Sequence, residues 1–523
     1  MQTRTVAVAA FAATALLVLS GCSLIPSPDP VAEPVNSSTG EDVAPELEEF
    51  YHQSVRWEPC VIGRECATVS APLDWENPAD GSIELAVIRS IAGEPDDRVG
   101  SLLVNPGGPG GSGWDYVAAA NFPGISDRFD IVGWDPRGVG RSTPVTCYTN
   151  ATDRDESLYG RYDNDYGTPG WIDELTASSE EYAAACEAQT GELLSHVDTS
   201  STARDLDMLR AVLGDEKLNY LGYSYGTRIG ATYAELYPEK VGRMVLDGAI
   251  DPLLSDFDML KAQMVGFERA FSNYLEFCFE RDDCPFTGTV DEAKAQAEAL
   301  IESAGTAGLT APDGRVLDEA TIGTAIAANL YSKGSWQDMS GMFVDLKADD
   351  PITTFVAADR YNSRNPDGSY SGNSVDVYQA VTCADGDFAD DAASTLDRVA
   401  EIDAAAPTIG RFFTYDDFAV LDVLCSNWPV PTVDQPASYE AEGSPTILVI
   451  GTSNDPATPY AWAESLAGQL SKGFLVSYEG EGHTIYNQGV RCIDDAVDVF
   501  FNTGTVPPKD PKCEDPNIPV EYN

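Results

Sequence analysis

Basic residues are scarce in this sequence. The chain of 523 residues has 31 lysines and arginines against 85 aspartates and glutamates, which gives a formal net charge of −54. Such an acidic surface repels nucleic acid and bare anionic membranes, because all of them carry negative charge. We therefore exclude nucleic acid as a partner. The excess charge indicates a well-solvated surface and does not by itself identify a substrate.

A P-loop and a zinc-binding cysteine pattern are absent as well. The glycine-rich segment at residues 105–113 lacks the lysine of a P-loop, so its indication of a phosphate site is weak. The close cysteine pairs lack the two-residue spacing and the neighbouring histidines of a zinc site. We therefore expect neither a metal nor another cofactor.

The N-terminus carries a long apolar run. Arg4 precedes a mostly apolar run from Val6 to Leu19, and Leu19 begins the sequence Leu-Ser-Gly-Cys that ends at Cys22. A run this short behind a positive charge is typical of a secretory signal rather than a membrane span. The last four residues resemble a bacterial lipobox, which predicts lipidation of Cys22; the alternative is an ordinary signal peptide cleaved nearby. We expect residues 1–22 to be the signal and residues 23–46, rich in proline, serine and acids, to be a flexible tether.

The cysteine content agrees with export. Eleven cysteines are present, and setting Cys22 aside leaves an even ten. An even number in an exported chain indicates disulfides rather than metal ligands. Cys60 and Cys66, like Cys278 and Cys284, are close enough in sequence for local bridges. We expect the mature protein to be a lipoprotein on the outer side of the cell membrane, or to be secreted.

A serine between two glycines is the most informative short motif. Gly222-Tyr223-Ser224-Tyr225-Gly226 follows a strand-like run at 217–221 and precedes a helix-like run at 227–234. A serine at a strand-to-helix turn with small residues two positions away on each side is typical of the nucleophile elbow of α/β-hydrolases. The alternative is a glycine-rich turn with an exposed serine. The flanking strand and helix favour Ser224 as a nucleophile.

The scarcity of histidine narrows the search for a general base. Of the three histidines, His52 precedes any plausible core strand and His196 lies in a polar region upstream of Ser224. His483 follows an apolar strand at 474–478 in a loop of small residues. In this fold the order along the chain is nucleophile, acid, histidine. We therefore expect His483 to be the base and not an ordinary surface residue.

The acid of such a triad should lie between the serine and the histidine. An apolar, β-branched run at 446–451 predicts a buried parallel strand, and Asp455 lies in the turn-rich loop that follows it. A carboxylate there orients the imidazole and stabilises the imidazolium. Asp247, at the end of another strand, is the competing candidate. Thr458 is placed either to donate to the Asp455 carboxylate or to begin a helix.

Acyl transfer also requires donors for the developing oxyanion. The strand at 100–104 leads into Asn105-Pro106-Gly107-Gly108-Pro109-Gly110, where the absence of β-carbons lets the backbone approach a ligand closely. The expected donors are the N–H of Gly107 or Gly108 and the N–H of Tyr225, which follows the nucleophile.

Together these motifs resemble the tripeptidyl aminopeptidase family of secreted actinobacterial serine exopeptidases, which are relatives of prolyl aminopeptidase. The matching segments follow one another at residues 105–110, 134–142, 222–226, 246–248, 454–459 and 482–483. The resemblance implies release of short peptides, often tripeptides, from a free N-terminus. Prolyl aminopeptidases carry a histidine where Pro106 stands here. The resemblance therefore favours the tripeptidyl branch over specificity for a single proline.

The predicted fold is an α/β-hydrolase with a mostly parallel sheet and a helical lid inserted between strands six and seven. Helical periodicity over much of the interval between Asp247 and residue 446 supports the lid, and a stabilising appendage is the alternative. The expected boundaries are 47–250 for the first part of the core, 251–442 for the lid, and 443–523 for the C-terminal part of the core that carries the acid and the histidine.

An exopeptidase must also bind the substrate's α-ammonium group, and burying that charge without a carboxylate would be very unfavourable. Similar family members carry an acid shortly after a cysteine such as Cys383, which points to Asp385. The alternative is that Asp385 caps a turn before Gly386. A peptide or protein N-terminus is thus the expected substrate.

Two other function classes remain open from the sequence. One is a carboxylesterase or lipase that uses the same triad, because fold and triad do not determine the substrate. The other is a lipid-anchored peptide-binding protein with an inactive triad. Since serine, acid and histidine are all present in order, the sequence favours an active serine hydrolase.

Overall fold

A computed structural model describes residues 35–386, 388, 392–413, 419–514 and 520. The predicted signal at 1–22, with Cys22, and the first part of the predicted tether therefore lie outside the described residues.

The core is built on a twisted sheet that is mostly parallel. A separate antiparallel pair joins β1 (Val35–Asn36) to β2 (Val55–Arg56). The main sheet consists, within the described residues, of β3 (Glu58–Pro59), β4 (Glu65–Pro72), β5 (Ser82–Ser90), β6 (Gly100–Asn105), β7 (Phe129–Trp134), β8 (Leu218–Tyr223), β9 (Val241–Asp247), β10 (Ile447–Asn454) and β11 (Gly473–Glu481). Their order is β11-β10-β9-β8-β6-β7-β5-β4-β3, and the strands from β6 to β11 are parallel. Every residue of β6, β7 and β8 is buried, as expected for strands covered on both faces.

Helices cover both faces of the sheet and form the lid. The α-helices of the core are α1 (Glu48–Tyr51), α2 (Gly113–Ala119), α5 (Thr199–Val212), α6 (Tyr225–Leu236), α16 (Tyr460–Gln469) and α17 (Arg491–Thr503). The remaining helices are α3 (Ala151–Tyr159), α4 (Pro169–Thr190), α7 (Asp256–Phe279), α8 (Val290–Thr306), α9 (Glu319–Leu330), α10 (Trp336–Lys347), α11 (Ile352–Tyr361), α12 (Ser374–Asp385), α13 (Ala392–Ala405), α14 (Gly410–Phe413) and α15 (Ala419–Ser426). The fold is therefore the predicted α/β-hydrolase.

The helical insertion lies between β9 and β10, which are the sixth and seventh of the eight strands that begin with β4. It has its own apolar core, in which Phe271, Tyr274 and Phe343 are fully buried. The helices α7, α9 and α11 pack closely within it. The insertion thus forms a folded unit placed at the carboxyl end of the parallel strands.

A second segment contributes to the lid. Trp171, Ile172 and Leu175 of α4 are buried in the apolar core of the lid, and the Arg364 guanidinium of the insertion forms hydrogen bonds of 2.7 and 2.8 Å with Asp155 of α3. Because these residues lie between two core strands along the chain, the sequence predicts that they belong to the core. That prediction is wrong for α3 and much of α4. Helical periodicity predicts a helix but does not tell which apolar core the helix joins.

The predicted tether is also too long. The Thr39 N–H donates to the Ala211 carbonyl at 2.9 Å, and the Glu41 carboxylate lies 2.9 Å from both Arg210 and Lys240. Together with the pairing of β1 and β2, these contacts hold the chain in place from Val35 onward, whereas the predicted tether extends to residue 46. The proline, serine and acid content of this segment predicts a flexible tether, but Glu41 has two cationic partners.

Five disulfides link the ten cysteines that remain after Cys22. The pairs are Cys60–Cys66, Cys147–Cys186, Cys278–Cys284, Cys383–Cys425 and Cys492–Cys513. They include both of the local bridges expected from the sequence, and they are consistent with export. In the part of the chain that the structure describes, every helix is too short or too polar to cross a membrane.

Candidate active site

Ser224 lies in a sharp turn between β8 and α6. Its backbone has φ 54° and ψ −125°, a conformation that is rare for a residue with a side chain and that is often found at functional sites. The Ser224 N–H donates to the Asp247 carbonyl at 2.9 Å. A β-carbon at Gly222 would lie 2.4 Å from the Gly226 carbonyl oxygen, and one at Gly226 would lie 2.8 Å from Asn105 Oδ1. The turn therefore requires the two glycines, as a nucleophile elbow does.

His483 lies in the loop after β11 with its ring against Asp455. Its Nδ1 is 2.9 Å from Asp455 Oδ1 and 3.0 Å from Oδ2. Because Nδ1 faces the carboxylate, Nε2 is the nitrogen left for a reacting hydroxyl. His483 and Ser224 line the same cavity. This arrangement suits proton transfer between a serine and an imidazole.

Asp455 is held in place by its own loop. The N–H groups of Ala457 and Thr458 donate to Oδ1 at 2.9 and 2.8 Å, and the Thr458 hydroxyl donates to Oδ2 at 2.9 Å. The carboxylate is fully buried. Burial alone would lower the pKa of His483, but the Asp455 carboxylate beside it, and more weakly Asp247, raise that pKa above its ordinary value. The loop thus stabilises a protonated imidazole.

Asp247, the competing acid, has a different environment. Its Oδ2 accepts from the N–H groups of Ile485 and Tyr486 at 2.9 and 2.7 Å, and its carbonyl accepts from Ser224. Burial raises the pKa of Asp247 to about 6, although the two backbone donors lower it. Asp247 therefore fixes the backbone around the serine turn and the histidine loop, whereas Asp455 contacts the imidazole.

The expected oxyanion donors in the glycine loop before α2 have different surroundings. The Gly107 N–H donates to Asn105 Oδ1 at 2.9 Å, and a β-carbon at Gly107 would lie 2.8 Å from Ser224 Cβ. Gly107 is thus needed for close approach, and its N–H is occupied. Gly108 lines the cavity, and Tyr225 is the first residue of α6, where N–H groups have no intrahelical acceptor. Gly107 is therefore dropped as an expected oxyanion donor, and the N–H groups of Gly108 and Tyr225 remain the candidates.

Asp385, the predicted ammonium ligand, lies in the cavity wall at the end of α12. Its Oδ1 accepts from the Thr199 N–H at 2.9 Å and from Gln435 Nε2 at 3.0 Å, and its Oδ2 accepts from the Thr199 hydroxyl. Burial raises the pKa of Asp385 to about 6, while the nearby Arg228 guanidinium and Thr199 lower it. Its hydrogen bonds join the end of α12 to Thr199 and Gln435, and do not cap the turn before Gly386.

A cavity of about 650 Å³ connects these groups. Its wall includes the side chains of both lid segments, and its charged residues other than His483 are Asp165, Asp256, Asp318, Glu319, Asp385, Arg161 and Arg228. The sequence motifs do not predict the contribution of α3 and α4, or that of Arg228. The spacing of Arg228 is a usable signal, because a residue four positions after Ser224 lies on the same face of the helix.

Comparisons with known proteins agree with this geometry. A family model described as "alpha/beta hydrolase fold" matches residues 100–490. Serine protease Hip1 of Mycobacterium tuberculosis is 36% identical over 485 residues, which cover 88% of this chain and 91% of the relative. Carboxylesterase B of the same organism is 39% identical over 464 residues, which cover 86% of each chain. Tripeptidyl aminopeptidase of Streptomyces lividans is 30% identical over 477 residues, which cover 88% of this chain and 86% of the relative.

The chain therefore belongs to the α/β-hydrolase family. Within that family it is a serine hydrolase that resembles tripeptidyl aminopeptidase and serine protease Hip1. The family resemblance that the motifs predict is confirmed.

Proposed function

We propose that Ser224, His483 and Asp455 form the catalytic triad. Ser224 Oγ attacks the substrate carbonyl, His483 Nε2 takes the serine proton, and the Asp455 carboxylate stabilises the imidazolium. The N–H groups of Gly108 and Tyr225 bind the oxyanion. The protonated histidine then gives its proton to the leaving amine, and water hydrolyses the acyl-enzyme through the same base. The carboxylate–imidazole contact and the serine turn support these roles.

We propose further that the substrate is a peptide with a free N-terminus, from which the enzyme releases short peptides, most simply tripeptides. The observation that carries this proposal is the cavity beside Ser224, which is walled by two lid segments and contains five carboxylates against two arginines. A covered cavity admits the end of a chain more easily than the middle of a folded one. Its acidic wall favours the α-ammonium group of such an end. The relatives named as a protease and an aminopeptidase support the same class.

Asp385 stays our candidate for the group that holds the ammonium. Burial raises its pKa, so its charged form is poorly stabilised and gains from an arriving cation. Asp385→Asn should raise KM for peptides with a free amine and leave small-ester hydrolysis nearly unchanged. Equal losses on both substrates would indicate a folding defect instead, and no loss on either would remove Asp385 from the site.

A carboxylesterase is the second candidate, because a relative that is 39% identical bears that name. One assay separates the two functions: hydrolysis of a tripeptidyl anilide, its N-acetylated form and a short-chain ester by the same purified protein. We expect the free-amine anilide to be preferred over its acetylated form by a large factor. Rapid ester hydrolysis with no cleavage of either anilide would favour the carboxylesterase.

We also propose that the protein is exported and anchored through lipidated Cys22. The signal-like N-terminus and the five disulfides support export. Two or more acyl chains on Cys22 would anchor the protein stably to a membrane. Cys22→Ala should release the protein or block its processing. Mass spectrometry of the mature N-terminus from intact cells tests this directly, and an unmodified N-terminus at any other residue would contradict it.

A further inference from the structure

Arg228 is a cation in the cavity wall close to the proposed nucleophile. It lies on α6 four residues after Ser224, about one helical turn away, and lines the same cavity. Its Nε–H is shielded from solvent and has no hydrogen-bond acceptor among the described residues. Burial alone would lower the pKa of Arg228, but the carboxylates of Asp385 and Asp256 contribute to raising it. Arg228 is therefore charged and has unused hydrogen-bonding capacity.

Gln379 of α12 provides a hydrogen-bond acceptor in the wall of the same cavity. Val375, Gln379, Thr382 and Asp385 lie on one face of α12 and line the cavity. Gln379 Oε1 is buried and, within the described part of the chain, accepts no hydrogen bond. Among the described residues, the cavity wall thus contains a buried donor, the Arg228 Nε–H, and a buried acceptor, Gln379 Oε1, that have no hydrogen-bond partner. Buried polar atoms without partners are rare in folded proteins because they are unfavourable, and a bound ligand is one reason to retain them.

The charges around Arg228 indicate what it binds. A guanidinium group can pair with a carboxylate or with a neutral carbonyl oxygen. Here Asp385 and Asp256 already place two negative charges near the single positive charge. A substrate carboxylate would add a third negative charge, whereas a carbonyl oxygen would not. A neutral acceptor is therefore the better match for Arg228.

We infer that Arg228 and Gln379 form a subsite for the peptide backbone of the acyl segment, which is the part of the substrate that becomes attached to Ser224. Arg228 donates to a backbone carbonyl and Gln379 Oε1 accepts from a backbone N–H. A simple alkyl ester has no peptide group outside the reacting carbonyl and cannot use this subsite. The inference rests on the proposed peptide substrate and makes Arg228 and Gln379 specificity-determining residues rather than members of the triad.

The test compares Arg228→Met, Arg228→Lys and Gln379→Leu with the wild-type enzyme on a tripeptidyl anilide and on a p-nitrophenyl ester of a short fatty acid. Loss of one hydrogen bond to a substrate lowers kcat/KM by about 10-fold to 100-fold. We expect Arg228→Met and Gln379→Leu to show that loss on the anilide and to stay within about twofold on the ester. Arg228→Lys keeps the charge without the planar group and should lie between Arg228→Met and the wild type.

Thr176→Val is a control outside the cavity. The Thr176 hydroxyl donates to the Ile172 carbonyl of its own helix, α4, at 2.7 Å. This variant should leave both activities unchanged.

A second measurement uses anilides in which one backbone amide at a time is replaced by an ester linkage. The replacement that removes the N–H bound by Gln379 should impair the wild-type enzyme and have little further effect in Gln379→Leu.

The outcomes separate this inference from the proposed function. Wild-type protein that cleaves no peptide would overturn both. Wild-type protein that cleaves the anilide, with Arg228 and Gln379 variants that match it, would overturn the subsite alone. Equal losses on anilide and ester would show that the residues support the fold of the site and do not recognise the peptide backbone.

Discussion

The backbone N–H of His483 donates a hydrogen bond of 2.8 Å to the carbonyl of Tyr331, which directly follows α9 of the lid. The two rings also meet edge to face, with centroids 5.3 Å apart. A second lid contact reaches the acid loop, where Gln263 Nε2 of α7 donates to the Ala457 carbonyl at 2.8 Å. On this side the lid contacts the loops that carry Asp455 and His483 and holds them in position.

Gly266 on α7 provides a test of whether the lid holds the loop that carries Asp455 in position. A β-carbon there would lie 2.3 Å from the carbonyl oxygen of Pro456, the residue after Asp455. Gly266→Ala must therefore displace the acid loop or the helix. A displacement of about 1 Å at a catalytic group can cost about 100-fold in rate, so we expect a decrease of that order in kcat/KM. Steady-state kinetics on the variant measures it.

Gly341→Ala is the control for Gly266→Ala. Gly341 also lies in a lid helix, α10, but a β-carbon there would meet no atom within 4 Å. Replacement of glycine by alanine inside a helix stabilises it by up to about 1 kcal/mol, so this variant should keep full activity and an equal or higher thermal midpoint. Full activity in Gly266→Ala would show that the lid does not position the acid loop.

Ser224→Ala tests the nucleophile. The variant keeps the backbone of the turn and removes only the hydroxyl, so the fold should be preserved. We expect turnover to decrease by about 10⁴-fold or more, as for other serine hydrolases that lose the nucleophile. Circular dichroism on the same sample checks folding. Near-normal hydrolysis by folded Ser224→Ala protein would exclude this serine.

Replacement of Asp455 should mainly reduce activity, whereas replacement of Asp247 should mainly reduce stability. Asp455→Asn should reduce kcat by about 10⁴-fold, because it removes the charge that orients the imidazole. Asp247→Ala leaves the buried N–H groups of Ile485 and Tyr486 without their acceptor, and each such loss costs about 1–3 kcal/mol of stability. Denaturant unfolding of both variants measures this difference. Greater destabilisation by Asp455→Asn than by Asp247→Ala would contradict the assignment.

The pH dependence of kcat/KM should follow from the ionisation of His483. The general base must be neutral, and the Asp455 carboxylate raises the pKa of His483 against the effect of burial. The acid limb of the kcat/KM profile should therefore lie above about pH 6.5, the ordinary histidine value. The residual activity of Asp455→Asn should show this limb at lower pH. Because the pKa is raised on folding, His483 stabilises the protein below its unfolded pKa, and this contribution is lost as the pH rises through the folded pKa.

The fold and the places of Ser224, Asp455 and His483 in it could be predicted from local patterns. The glycines around Ser224, the apolar strand before Asp455 and the small-residue loop at His483 each have a local physical cause, and the structure brings Asp455 against His483. Their catalytic roles stay predictions. Long-range packing could not be predicted in the same way: the sequence of α4 does not reveal that Trp171 joins the lid, and that of the N-terminal segment does not reveal the contact of Glu41 with Arg210.

The glycine loop at residues 105–110 gives a finer example. Gly107 and Gly108 are equivalent as sequence, since both lack a β-carbon. The structure distinguishes them because Asn105 Oδ1 accepts the Gly107 N–H and leaves Gly108 in the wall of the cavity. Side-chain hydrogen bonds of this kind depend on the folded path of the loop and not on residue type.

The proposed function requires that Ser224 reacts with peptides that carry a free N-terminus. The most direct measurement is covalent labelling by a tripeptidyl phosphonate with a free amine and by its N-acetylated form, followed by peptide mapping. We predict one adduct, on Ser224, that forms much faster with the free amine. Labelling of another serine, or equal rates with the free and the blocked reagent, would contradict the account.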